Sequence, residues 1–216
     1  MEYFLLVAEE TQGQTPHIQF EFRIWPPGWP GAASQVQRSW RPEGAERRSD
    51  IYLLTSHSPV RLVKLRAGTR LETKRRGPDC EPLQSWTRRP YPTFPLSRLA
   101  LRDLADELGT ELLPPDAGLS PAHLVAELGA SAPAVLPITV RKSRLLFSKG
   151  NCRAEICRVA VSGRPRLTLA IEGPDPNVAL RSIEALRIGH LRNRSCGEML
   201  CHRMLPAAQE TTAPHQ

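Results

Sequence analysis

Basic side chains and isolated glutamates alternate with apolar residues along several separate stretches of the chain. In "HIQFEFRIW", Ile18, Phe20, Phe22 and Ile24 share one parity, and Gln19, Glu21 and Arg23 the other. In "RLVKLRAGTRLETKRR" (61–76), Val63 and Leu65 oppose Lys64 and Arg66; past an Ala67-Gly68 turn, Leu71 and Thr73 oppose Glu72, Lys74 and Arg76. Val140, Lys142 and Arg144 share a face in "ITVRKSRLLFSKG", and Arg153 and Glu155 share one in "CRAEICRVAV". In "RPRLTLAIEG", Leu167, Leu169 and Ile171 oppose Thr168, Ala170 and Glu172. Basic side chains of this kind suit phosphate oxygens. Scattered carboxylates suit a hard cation, Mg²⁺ or Mn²⁺, bound jointly with those phosphates. On a flat sheet these residues are a solvated face. A closed barrel lets both sets converge on one ligand.

The elements that must position these residues follow from periodicity. Period two marks the charged stretches as strands, with the 61–76 segment a hairpin and Ser162-Gly163 the turn between the last two strands. "DIYLL" (50–54) reads as a further short strand, and "PPGWPGAASQ" as a Pro/Gly loop. "TRRPYPTFPLS" carries too much proline for a central strand. From Leu96 the period becomes helical: Leu101, Leu104, Ala105 and Leu108 share a face ahead of a Gly109 cap. "LSPAHLVAELG" repeats the pattern, with Ser120 as N-cap and Pro121 at the first position. Asp175 and Pro176 open a helix with an Ala179, Ile183 and Leu186 stripe, and "SCGE" (195–198) is a capping box for a short helix through Met204. The predicted class is α+β: antiparallel strands, a helical insert over about 96–130, more strands, and C-terminal helices. One domain over 1–205 is expected, with 206–216 a loose tail.

The chain has 216 residues, with 29 Lys and Arg against 22 Asp and Glu, a net charge of +7. That excess favours anionic partners. Its five cysteines form no paired Cys-x-x-Cys set and read as reduced thiols of a cytoplasmic protein. "MEYFLLVAEETQ" lacks the basic segment of a signal peptide, and no stretch is long enough to span a membrane. The six histidines show no metal-ligand spacing, and the four tryptophans are expected to pack at barrel ends.

The order of motifs resembles the CYTH superfamily, the triphosphate tunnel metalloenzymes. "EFR" stands on a first strand, followed by "DIY", "KLR", "LETKR", a helical insert, "RKSR", an acidic strand, "IEGPDP" before a helix, and "RNRSCGEML". The resemblance covers roughly residues 18 to 204. It implies a closed antiparallel β-barrel of eight strands enclosing a hydrophilic tunnel. Arg23, Lys64, Arg66, Lys74, Arg76, Lys142 and Arg144 would hold phosphate; Glu21, Glu155 and Glu172, with Glu72 nearby, would hold Mg²⁺ or Mn²⁺. Glu21, Lys64 and Arg66 would act at the reacting phosphate. The implied activity is metal-dependent hydrolysis of inorganic triphosphate, thiamine triphosphate or a nucleoside triphosphate.

Two departures matter. The family's first strand reads Glu-x-Glu-x-Lys, and here it is Gln19-Phe20-Glu21-Phe22-Arg23; Ala170 stands where many members carry a second glutamate before Glu172. Loss of carboxylates weakens a metal site. The alternative is therefore a protein that binds triphosphate or polyphosphate without turnover. Absence of an RNA-binding signature argues against nucleic acid as the partner.

Overall fold

The computed structural model describes residues 18–112, 118–131 and 135–204. The N-terminal segment through His17, and the 206–216 tail with His215, lie outside the described residues. Eight strands close into one antiparallel barrel in the order β1-β5-β4-β3-β2-β6-β7-β8. They are β1 (Ile18–Ile24), β2 (Arg41–Leu54), β3 (Arg61–Arg66), β4 (Arg70–Arg76), β5 (Gln84–Pro90), β6 (Leu136–Lys149), β7 (Cys152–Val161) and β8 (Arg164–Gly173). The described helices are α1 (Gly31–Ser39), α2 (Arg98–Leu108), α3 (Pro121–Gly129), α4 (Pro176–Ala185) and α5 (Cys196–Met204). The turns require left-handed backbone at Ala67 and Gly68 (φ 51° and 73°) and at Ser162 and Gly163 (φ 50° and 75°).

The outward parity of the strands packs under helices. Phe22, Ile24, Leu169 and Ile171 form one outer core with Ala33 and Val36 of α1 and Ala179 and Ile183 of α4. Leu53, Val63, Leu65 and Leu71 form another with Leu101, Leu104 and Leu108 of α2 and Leu124 and Leu128 of α3. The helical insert thus covers the β3–β4 hairpin. Two of its caps are as expected: Ser120 accepts from the His123 N–H, and Gly109 is left-handed; Ser97, which accepts from the Ala100 N–H, is a further N-cap.

Three local expectations are corrected. "GAASQVQRS" is helix α1, not loop. Pro30 occupies its N-cap, and Ala32, Ala33 and Val36 supply a buried stripe that the glycines and prolines around it concealed. The second strand is not confined to residues 50–54 but begins at Arg41. Its first half is exposed outward and so lacks an apolar parity to read. Residues 84–90 form β5, between β1 and β4, because proline enters only at the strand's last position and the donors before it remain available.

The barrel interior is not charged throughout. Tyr52, Leu54, Leu62, Ile138, Val140, Cys157, Val159 and Val161 point inward at one end and pack against Leu200 of α5. This apolar half closes the barrel, so the expected tunnel is a cup. The capping box holds α5 in place: Ser195 Oγ accepts from the Glu198 N–H at 3.1 Å, and Glu198 Oε2 accepts from the Ser195 N–H at 2.6 Å. Gly197 lets the helix approach the loop before β3, where an added Cβ would lie 2.3 Å from the Ser58 carbonyl oxygen. Gly197→Ala is expected to destabilise the protein by about 1–3 kcal/mol, the cost of overpacking. A thermal melt unchanged from wild type would show that α5 is not seated this closely.

Candidate functional site

The charged half of the cup is built by inward positions of all eight strands. Glu21 and Arg23 come from β1, Arg48 from β2, Lys64 and Arg66 from β3, and Lys74 from β4. Trp86 and Arg88 come from β5, Lys142 and Arg144 from β6, Glu155 from β7 and Glu172 from β8. Eight basic residues face three glutamates in this lining, an excess of five positive charges. Ser195 and Cys196, at the start of α5, also line it. They bring the positive end of a helix dipole to the chamber.

The side chains form a continuous ion network. Glu21 accepts from Arg23 Nε at 2.8 Å and Lys74 Nζ at 3.1 Å. Glu155 accepts from Arg23 Nη1 at 2.9 Å and is paired on its other oxygen with Arg144. Lys64 and Arg66 both reach Glu72 Oε1 at 2.7 Å. Lys142 donates to Tyr52 Oη at 2.6 Å, with Asp50 at 3.7 Å, and stands 5.0 Å from the Tyr52 ring centroid. Lys74 stands 5.9 Å from the Trp86 ring centroid, so that tryptophan packs inside the chamber rather than at a barrel end. At the mouth, Glu172 contacts Arg88 at 3.4 Å.

Electrostatics follow from this crowding. Burial pushes the Glu21 and Glu155 carboxyls up, but their cationic neighbours outweigh it and hold both well below the ordinary carboxylate range. Lys74 and Arg23 act on Glu21; Arg23, Arg144 and Lys142 act on Glu155. Lys64 is the reverse case. Burial first, then Lys142, bring its ammonium down to about 7 against the pull of Glu72, with Lys74 and Arg66 adding to the fall. Glu72, against Lys64 and Arg66, is lowered to about 2.

Most of the residues singled out from the sequence meet here. Arg76 does not: it binds Asp79 and, at 3.5 Å, Glu198 of α5, away from the chamber lining. Arg48, Tyr52 and Arg88 belong to the site but were not among the sequence candidates. Continuing the Tyr52 parity back through Asp50, Arg48 and Glu46 would have found Arg48. Arg88 was hidden by the reading of its strand as proline-rich loop.

The carboxylates do not meet as a metal site. Among the described residues, no three His, Cys, Asp or Glu side chains are placed to share an ion. All four oxygens of Glu21 and Glu155 are already taken by cations, and Glu172, at the mouth, meets Arg88 through one oxygen at 3.4 Å. Mg²⁺ and Mn²⁺ need available oxygen ligands, so these residues, as arranged, do not fit the ion. The cavity between them is about 50 Å³. That is room for a few waters.

No protein-family model matches the sequence, and no curated protein sequence matches it. Among solved structures, the PH1012 protein of Pyrococcus horikoshii is similar at 14% identity and a TM-score of 0.48, over 81% of this chain and 91% of that one. A Bacillus halodurans protein whose name assigns it provisionally to the adenylate cyclases is similar at 12% identity and a TM-score of 0.47, over 88% and 100%. The Pct1 RNA triphosphatase of S. pombe is similar at 9% identity and a TM-score of 0.33, over 78% and 77%. Likenesses this distant carry no inference about chemistry, which has to come from the chain's own side chains.

Proposed function

We propose that the cup binds the triphosphate group of a small molecule, or a short polyphosphate. The observation that carries this reading is the lining itself: eight cationic residues against three glutamates, turned inward in a closed barrel. Concentrating like charge in a poorly solvated space raises the free energy of the empty protein; burial first, then Lys142, hold the Lys64 ammonium down to about 7. A multivalent anion relieves that cost by taking over the cations that the glutamates share. The resemblance to the CYTH superfamily points to the same ligand class. Hydrolysis assisted by Mg²⁺ or Mn²⁺, also implied by the resemblance, would need carboxylates that this network keeps occupied; binding is therefore the better-supported activity.

Titration calorimetry with inorganic tripolyphosphate tests the reading, alongside phosphate release with Mg²⁺, Mn²⁺ and EDTA. Arg66→Ala and Lys142→Ala are each expected to lose about 1.5–3 kcal/mol of binding, roughly 10- to 150-fold in affinity, the range for hydrogen bonds to charged groups. Unchanged affinity in both would place the ligand elsewhere. Metal-dependent phosphate release by the wild-type protein would restore the hydrolase reading in place of the binder.

A further inference from the structure

The side chain of Arg23 lies where the two interior carboxylates face each other. Its Nε donates to Glu21 at 2.8 Å, its Nη1 to Glu155 at 2.9 Å, and Nη1 also approaches Thr168 Oγ1 at 3.3 Å. One fork of donors thus bridges carboxylates from β1 and β7, across β8. The strand between them makes this possible. Ala170 of β8 is the cross-strand partner of Arg23 on one side and of Glu155 on the other. A methyl group there leaves the guanidinium free to cross, whereas a longer acidic side chain would stand in its path and compete for it.

The backbone holds the fork in position. The Arg23 N–H donates to Asn193 Oδ1 at 2.9 Å, and its carbonyl accepts from the Arg194 N–H at 2.9 Å. Arg23 is 6% exposed. A divalent ion entering between Glu21 and Glu155 would have to expel this guanidinium, leave it buried without its partners, and add charge to an already cationic chamber. Losing the partners of a buried charge is costly.

We infer that Arg23 is a built-in substitute for a divalent cation: it neutralises Glu21 and Glu155, excludes metal from between them, and makes oligophosphate binding metal-independent. The pairing of Arg23 with Ala170 is what distinguishes this chamber from one that needs an ion. The inference rests on the proposed binding of triphosphate for its second half only. Exclusion of metal is a property of the protein alone.

The free-ion electron paramagnetic resonance signal of Mn²⁺, titrated with protein in the absence of phosphate, reads the exclusion directly. Wild-type protein is expected to leave the signal intact. Arg23→Ala frees Glu21 Oε1 and Glu155 Oε1 toward each other and is expected to remove signal, an effect lost again when Glu155→Gln is added. Arg23→Lys keeps the charge but cannot bridge both carboxylates, and is expected to admit Mn²⁺ as well. Wild-type binding of Mn²⁺ that disappears in Glu155→Gln would overturn the inference. So would exclusion that persists in folded Arg23→Ala and Arg23→Lys proteins. Calorimetry with tripolyphosphate should give binding in EDTA at least as tight as with Mg²⁺; binding that requires Mg²⁺ overturns the second half. Binding in neither condition defeats the proposed function while leaving the Mn²⁺ result to stand or fall separately.

Discussion

Glu155→Gln is expected to lower the stability of the protein by about 3–5 kcal/mol, the cost of removing one partner from a buried ion pair. The variant keeps the shape of the side chain and loses only its charge, which leaves Arg23 with Glu21 alone and Arg144 with Glu46 alone to balance them. Tripolyphosphate should then raise the melting temperature of the variant by more than it raises that of the wild type, because the ligand finds two guanidinium groups that have each lost one carboxylate. Binding to the native state alone stabilises by mass action. A denaturant midpoint equal to wild type would show that Glu155 does not balance this network; a smaller ligand effect in the variant would show that the two guanidiniums do not reach the ligand. The same network gives the wild type an acid limit. Glu21 and Glu155 titrate lower in the folded protein than in the unfolded chain, so their contribution is present above the unfolded carboxylate value, roughly 4.3, and is lost as pH falls towards the folded values.

The affinity for tripolyphosphate is expected to fall about tenfold per pH unit between roughly 7 and 9, with uptake of one proton on binding, through Lys64. In the free protein Lys64 loses its proton near 7. An anion beside it favours the ammonium form and raises that value towards the unperturbed one. Below pH 7 the group is protonated in both states and contributes no slope. Above pH 7 the ligand must recruit the proton, and affinity drops until the bound form also titrates. Stability of the empty protein has the opposite sense. The unfolded chain holds its Lys64 proton up to the ordinary lysine range and the folded one only to about 7, so stability falls as pH is lowered between them and is level below. Tripolyphosphate itself titrates near neutrality, and Lys64→Met separates the two effects. Proton uptake measured in buffers of different ionisation enthalpy should lose the Lys64 component in that variant. Identical uptake in wild type and Lys64→Met would remove Lys64 from the site.

The direction each side chain faces in β1, β3, β4, β6 and β8 was legible in the order of residues alone. Alternation is a local property of extended backbone, so Glu21, Lys64, Lys74, Lys142 and Glu172 could be assigned to one surface before any strand was paired. Helix caps are equally local, and Ser120, Asp175 and Ser195 cap as their positions indicate. Where a strand lacks an apolar outer parity, as in residues 41–49, or runs into proline, as in β5, that local signal fails, and Arg48 and Arg88 were lost with it. Closure of the barrel was legible only as an expectation from the order of motifs. Which charges meet depends on packing between distant strands. Arg23 and Glu155 are 132 positions apart in the chain, and nothing local makes a guanidinium on one choose a carboxylate on the other. The choice depends on β8 standing between their strands, on Ala170 leaving the space, and on α5 sealing the apolar half of the barrel so that the charges share a closed chamber. Pair energies depend on distance and on exclusion of water, and both are set by packing between residues remote in sequence.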